Sequence, residues 1–165
     1  MARVLIVGGG CRGRALAQAL VAEGHAVRIT TRSEDGRAAI ESAGAESWIG
    51  TPDRLATLRG SLDSVTVACW LLASAAGDPE EVRELHSHRL EFFLSQVIDT
   101  TVRGFLYEAS GGLVATDILA EGERIVRSMT ARNEIPFRCL TAVLAEPDAW
   151  LRAAHQEIRS LLGAG

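Results

Sequence analysis

The run Val4-Leu5-Ile6-Val7 feeds directly into Gly8-Gly9-Gly10-Cys11-Arg12-Gly13, and that junction constrains the fold more than any other part of the chain. A short apolar, β-branched run reads as a strand buried on both faces of a parallel sheet. The residues that follow, Arg14-Ala15-Leu16-Ala17-Gln18-Ala19-Leu20-Val21-Ala22-Glu23, are good helix formers, and Gly24 stops them. Between strand and helix stands Gly8-x-Gly10-x-x-Gly13. Gly8 suits the tight turn out of the strand, Gly10 a close approach of pyrophosphate to the backbone, and Gly13 close packing of helix on sheet. The unpaired N–H groups and dipole of the helix start favour an anion. A second strand, His25-Ala26-Val27-Arg28-Ile29-Thr30, comes where a βαβ dinucleotide-binding unit needs it.

Strands and helices go on alternating. Strands are predicted at 45–49, 64–72, 102–109 and 136–140. Helices are predicted at 37–43, from Thr51-Pro52-Asp53 to Gly60, from Asp78-Pro79 to about residue 98, at 117–131 despite Gly122, and at 147–162. The turn Ser110-Gly111-Gly112 follows the fifth strand. Such alternation means right-handed parallel crossovers. The expected fold is α/β: one doubly wound Rossmann domain over 1–165, six parallel strands in the order 3-2-1-4-5-6, helices on both faces. Ligands then bind beyond the carboxyl ends of strands one and four, where the order reverses.

Composition narrows the chemistry. With 165 residues, 47% hydrophobic and 23% charged, the chain can bury a real core, and a net charge of −4 gives no electrostatic case for nucleic acid or a membrane surface. No apolar run approaches the roughly 20 residues that span a bilayer. Cys11, Cys69 and Cys139 are odd in number and widely spaced, which suits free thiols in a cytoplasmic protein. All 17 basic residues are arginine; there is no lysine. That removes any mechanism that needs a lysine ammonium.

The stretches 7–17, 24–32, 63–67 and 102–110 resemble the short-chain dehydrogenase/reductase superfamily in its atypical, epimerase-like members. The resemblance implies a nicotinamide dinucleotide and a small-molecule substrate. It also implies a catalytic tyrosine and lysine four residues apart on the helix after strand five. This chain departs from that pattern. Its one tyrosine, Tyr107, falls inside the predicted strand, and Gly111 stands four residues on. Ser110 matches the serine that polarises a carbonyl in family enzymes and is the one catalytic candidate. The substrate domain of extended members is not expected here. The resemblance further implies a homodimer through the helices at 80–98 and 117–131. The first of these carries two apolar edges, Val82, Leu85, Arg89 and Phe92 on one and Leu90, Phe93, Leu94 and Val97 on the other.

The cofactor residues expected are Gly8, Gly9, Gly10, Cys11, Arg12 and Gly13 in the loop, Thr31, Arg32 and Ser33 after strand two, and Trp70 and Leu71 at the end of strand four. A carboxylate after strand two holds the ribose 2′-hydroxyl of NAD, whereas an arginine accommodates the 2′-phosphate of NADP. Here Thr31 is neutral and Arg32 follows, with Arg12 expected to close on the same phosphate, so NADP is favoured over NAD. Trp70 either walls the cleft or fills the core. Cys11 and Cys69 read as core-type thiols. His86 and His88, two apart on a helix, point to different faces and read as solvated surface residues, with no metal site. Two functions stay open: an oxidoreductase without the tyrosine–lysine pair, and a binding protein that senses the NADPH/NADP ratio.

Overall fold

The computed structural model describes residues 1–110, 112–142 and 145–163. Strand β1 (Arg3–Gly8) pairs in parallel with β2 (Ala26–Thr31) on one side and β4 (Val67–Leu71) on the other. Outside β2 lies β3 (Glu46–Ile49), and beyond β4 lie β5 (Gly104–Glu108) and β6 (Phe137–Leu140). The order β3-β2-β1-β4-β5-β6 is the one expected from sequence. Every residue of β4 and β5 is buried, which is why both read as nearly unbroken apolar runs.

Helices α1 (Gly10–Ala22), α2 (Arg37–Ser42) and α6 (Pro147–Gly163) close one face over Val4, Ile6, Val27 and Leu106. On the other face, α4 (His88–Val97) and α5 (Thr116–Arg132) cover Leu5, Val7, Trp70 and Phe105, while Val82 of α3 (Pro79–Leu85) packs in a smaller cluster with Ala73, Val114 and Leu119. No helix among the described residues is long and apolar enough to cross a membrane.

Two expected helices differ. The stretch after Thr51 forms two 3₁₀ turns, Leu55–Thr57 and Arg59–Leu62, in place of an α-helix. Two carbonyls that the first turn of an α-helix would use are taken by Arg89, which donates to Pro52 and Asp53; Arg28 holds the chain just after, at Ser61 and Asp63. The long helix expected to about residue 98 is two helices, broken at His86 and Ser87. That break turns Leu90, Phe93, Leu94 and Val97 into the core beside Ile125 and Val126 of α5. The second apolar edge, which motivated a homodimer, is therefore covered within one chain, and Phe92 alone of the two edges stands clearly exposed.

Gly122 in the middle of α5 has a packing reason. A Cβ there would overlap the Tyr107 hydroxyl and lie 3.3 Å from the His86 carbonyl. Replacing it with alanine recovers roughly 1 kcal/mol of helix propensity and loses about 1–3 kcal/mol to overpacking. Chemical denaturation of Gly122→Ala is expected to show a net loss of stability. The Gly122→Ala/Tyr107→Phe pair should lose less than the sum of the two single changes, because the colliding oxygen is gone. A Gly122→Ala protein as stable as its parent would contradict this packing.

Candidate functional site

The glycine loop lies at the carboxyl edge of β1, at the point where the strand order reverses. Gly8, Gly9 and Gly10 have φ of 87°, 87° and 55°, a left-handed run that residues with a Cβ resist. A Cβ on Gly8 would also overlap the Leu71 carbonyl, which accepts the Gly9 N–H at 2.9 Å. The turn therefore clamps β1 to β4. Helix α1 starts at Gly10, earlier than the sequence suggests, with Gly9 as its cap. Its first intrahelical donor is the Gly13 N–H, bonded to the Gly9 carbonyl at 2.9 Å. The N–H groups of Gly10, Cys11 and Arg12 therefore remain open in the first turn, with no side-chain cap and no acidic residue there. A Cβ added to Gly10 would meet nothing within 4 Å, so a ligand has a clear approach to this backbone.

Two clefts flank the loop. Toward β2, a cavity of about 320 Å³ is lined by Gly8, Gly10, Arg14, Thr31, Arg32 and Gly36 among others. The Thr31 hydroxyl donates to the Ser33 carbonyl at 3.2 Å, and Ser33 is itself exposed. Arg32 pairs with Asp53 at 2.9 Å while its side chain stays 71% exposed. Arg14, which the sequence reading passed over as a helix residue, brings a second guanidinium to this cavity and donates to the exposed Cys11 sulfur at 3.1 Å. Its signal was its place in the first turn of α1, close beside the glycine turn.

Toward β4, a cavity of about 360 Å³ is lined by Gly9, Gly10, Cys11, Arg12, Leu71, Leu72, Ser74 and Ala75. Arg12 belongs to this side and does not join Arg32. Its guanidinium lies 4.7 Å from the Trp150 ring centre and donates to the Ser74 hydroxyl at 3.0 Å. The Trp150 indole N–H donates to one oxygen of Glu108 at 2.7 Å, and the Ala73 N–H to the other at 2.9 Å. Glu108, buried at the end of β5, was not singled out from sequence. A carboxylate closing an otherwise apolar strand was its signal.

Trp70 fills the core. It is fully buried, stacks on Phe93 at 4.9 Å, and donates to the Leu85 carbonyl. Leu71 reaches the β4-side cavity, and its carbonyl holds the glycine turn. Gly13 is buried, 3.2 Å separating the place of an added Cβ from the Gly8 carbonyl. Ser110 lies two residues beyond β5, half-buried, and Gly111 lies outside the described residues.

His86 corrects the sequence reading: it is buried, not solvated. Its Nε2 lies 3.0 Å from the Leu72 carbonyl and its Nδ1 2.8 Å from the Tyr107 hydroxyl. A carbonyl only accepts, so Nε2 carries the proton and Nδ1 accepts from tyrosine. Burial lowers the His86 pKa and raises that of Tyr107, with Cys139, Glu123 and Glu108 adding to the latter. Tyr107 is thereby a structural donor, as far from a proton relay as its lost lysine suggests. A buried strand tyrosine needs a hydroxyl partner, and that was the signal for His86. His88 is exposed beside Glu84. Of the thiols, Cys69 is buried with its pKa raised by desolvation, and Cys139 is half-buried with its pKa pushed up to about 12, mainly by desolvation. Cys11 is exposed and so is no core thiol. No cluster of three or more His, Cys, Asp or Glu side chains that could hold a metal occurs among the described residues.

No family model matches the sequence, and no curated protein matches it. Solved structures do match. A UDP-glucose 4-epimerase from Thermotoga maritima, solved with UDP-glucose, superposes with a TM-score of 0.71 at 14% identity, over 84% of this chain and 54% of that one. The chain has the Rossmann fold of the epimerase-like short-chain dehydrogenase/reductases. A superfamily protein from Agrobacterium tumefaciens with bound NAD matches at 0.69 and 18% identity, over 84% of this chain and 48% of its own. The Citrobacter triphenylmethane reductase complexed with NADP(H) matches at 0.64 and 14%, over 84% and 48%. The chain spans about half the length of these proteins.

Two changes test the site's supports. Glutamine at 108 offers one acceptor and one NH₂, so either Ala73 or Trp150 would face a donor. Glu108→Gln is expected to lose about 1–3 kcal/mol in urea unfolding, and an unchanged midpoint would refute the double acceptor. For His86, the unfolded ring titrates near about 6.5 and the folded ring lower. Stability is then full above that pH and falls as pH drops from there toward the folded value, because the unfolded chain binds the extra proton. Denaturation midpoints between about pH 7.5 and pH 5 should fall in the wild type and fall less in His86→Gln. Parallel curves would exclude the histidine.

Proposed function

We propose that this protein binds NADP(H) across the carboxyl edge of β1 and β4 and serves as a small oxidoreductase that works without a tyrosine–lysine pair. The observation that carries the reading is the open first turn of α1 beside a cavity in which Thr31 is neutral and Arg14 and Arg32 supply two guanidiniums. Pyrophosphate suits the free N–H groups of Gly10, Cys11 and Arg12. Gly8, Gly9 and Gly13 shape the turn, Ser33 borders the adenosine side, and Leu71 holds the loop. A ribose 2′-phosphate suits Arg32, flanked by Arg14. The present partner of Arg32 is no obstacle. An exposed pair such as Arg32–Asp53 is worth about 0–1 kcal/mol, less than forked, charge-assisted bonds to a phosphate. NAD would instead find no carboxylate at Thr31 for its 2′-hydroxyl.

The cofactor, once bound, supplies hydride chemistry, while the chain orients it and keeps water from it. Ser110 is the candidate to polarise a substrate carbonyl. A second reading, a binding protein without turnover, is favoured by Tyr107. The only tyrosine is buried with its hydroxyl engaged as a hydrogen-bond donor to His86, which leaves it unsuited to act as a general acid on a ligand.

Melting curves test the cofactor. A ligand at 100 times its dissociation constant stabilises by about 2.7 kcal/mol, which for a chain this long raises the midpoint by roughly 5–10 °C. NADPH is expected to raise it more than NADH, and Arg32→Ala to narrow the gap. Equal shifts in the wild type would overturn the NADP assignment, and no shift with either would overturn the site. With NADPH bound, oxidation by a panel of carbonyl compounds that is lost in Ser110→Ala would favour the enzyme; tight binding with no turnover would favour the second reading.

A further inference from the structure

Arg12 sits on the opposite side of the glycine loop from Arg14 and Arg32, in a setting built to hold a cation still. Its guanidinium carbon lies over the Trp150 ring, 4.7 Å from the ring centre. Trp150 is fixed in turn by Glu108, and Glu108 by the backbone of Ala73, the neighbour of Ser74. The ring of contacts closes with the Arg12–Ser74 hydrogen bond. One corner of the guanidinium is left over: Nη1 is out of water and has no hydrogen-bond partner among the described residues. A buried donor without an acceptor costs on the order of 1–3 kcal/mol, so an arriving acceptor recovers that. The Ser74 oxygen accepts from Arg12, which leaves its own O–H free to donate. Both side chains line the same cavity as Gly9, Gly10 and Cys11, where the open N–H groups of α1 add positive potential, and no carboxylate lines it. Glu108 makes no hydrogen bond or ion pair with Arg12 among the described residues; its two oxygens accept from Ala73 and Trp150.

We propose that Arg12 and Ser74 form an oxyanion subsite on the β4 side of the glycine loop. It takes either the phosphate farther from adenosine in a dinucleotide or a carboxylate of the substrate. The proposal rests on the dinucleotide reading for the identity of the ligand, and on the chain's own geometry for the subsite. The two sources share one chemistry, a planar or tetrahedral oxyanion that a fixed guanidinium binds with forked hydrogen bonds.

Titration calorimetry on the full chain separates them, with three probes: NADPH, inorganic pyrophosphate, and 2′,5′-ADP, which ends at its single 5′-phosphate. Arg12→Gln is expected to weaken NADPH and pyrophosphate by about tenfold or more while changing 2′,5′-ADP by less than about twofold. Arg12→Lys should recover part of the loss and Ser74→Ala should show a smaller one. If the phosphate probes keep their affinity, and malonate added to the NADPH complex binds the wild type but not Arg12→Gln, the anion is a substrate carboxylate. Equal losses for NADPH and 2′,5′-ADP, or no loss for any phosphate probe or malonate, overturn the subsite. Failure of 2′,5′-ADP to bind the wild type would overturn the dinucleotide reading instead, and pyrophosphate would still decide the subsite. Because Arg12 packs on Trp150, a melting curve accompanies each variant. Should Arg12→Gln not fold, Ser74→Ala carries the test, and unchanged affinity for NADPH, pyrophosphate and malonate in that variant overturns the proposal.

Discussion

The Glu108 carboxylate ties three segments together at the rim of the sheet, where β4 and β5 run side by side and α6 packs across them. One oxygen accepts the backbone N–H of Ala73, just past β4, and the other accepts the indole N–H of Trp150 in the first turn of α6. Removing a carboxylate from water costs several kcal/mol, and hydrogen bonds to a charged acceptor return about 1.5–3 kcal/mol each. Such a group is tolerable only when both oxygens are served, so the loop after β4 and the start of α6 are held to one arrangement. Trp150 then presents a fixed face to Arg12, and Val114 extends the tie by donating its N–H to the Ala73 carbonyl. The rim of the sheet from β1 to β5 is in this way a single connected surface, not a set of independent loops.

That rim has two halves of different character. On the β2 side, the exposed Arg32 holds Asp53 in a surface pair of the kind worth little in water. On the β4 side, the Arg12 guanidinium is held over the Trp150 ring and by its hydrogen bond to Ser74. Preorganisation of this kind lowers the ordering cost of binding and gives geometric selectivity. In a chain without lysine the cations lining both clefts are guanidiniums, and the planar fork of arginine suits phosphate and carboxylate geometry better than a point charge does.

Tyr107 illustrates how the same sheet can carry different chemistry. Its hydroxyl lies in a pocket made by Gly122 and His86, and His86 in turn holds the Leu72 carbonyl at the edge of both clefts. The tyrosine supports the loop after β4 from below rather than facing a ligand. Its place on a central strand decides this, since alternate strand residues point into the two helical layers and not toward the carboxyl edge.

Periodicity and glycine spacing by themselves determined the alternation of strands and helices and the place of the glycine loop, because these rest on short stretches of chain; the strand order followed from that alternation through the right-handed crossovers it implies. The neutral residue at 31 and the arginine after it were equally legible, being adjacent to a strand end that the pattern defines. What only the tertiary structure decided are the pairings between distant segments. Arg12 could not be sent to Ser74 and Trp150 from sequence, as they lie 62 residues away in one case and on another helix in the other. The burial of His86 depends on a break between α3 and α4 that a continuous helical pattern hides. The lost helix after Thr51 goes with an arginine from α4 capturing two of its carbonyls. Local propensity is a weak bias of tenths of a kcal/mol per residue, and a few buried hydrogen bonds from elsewhere in the chain outweigh it.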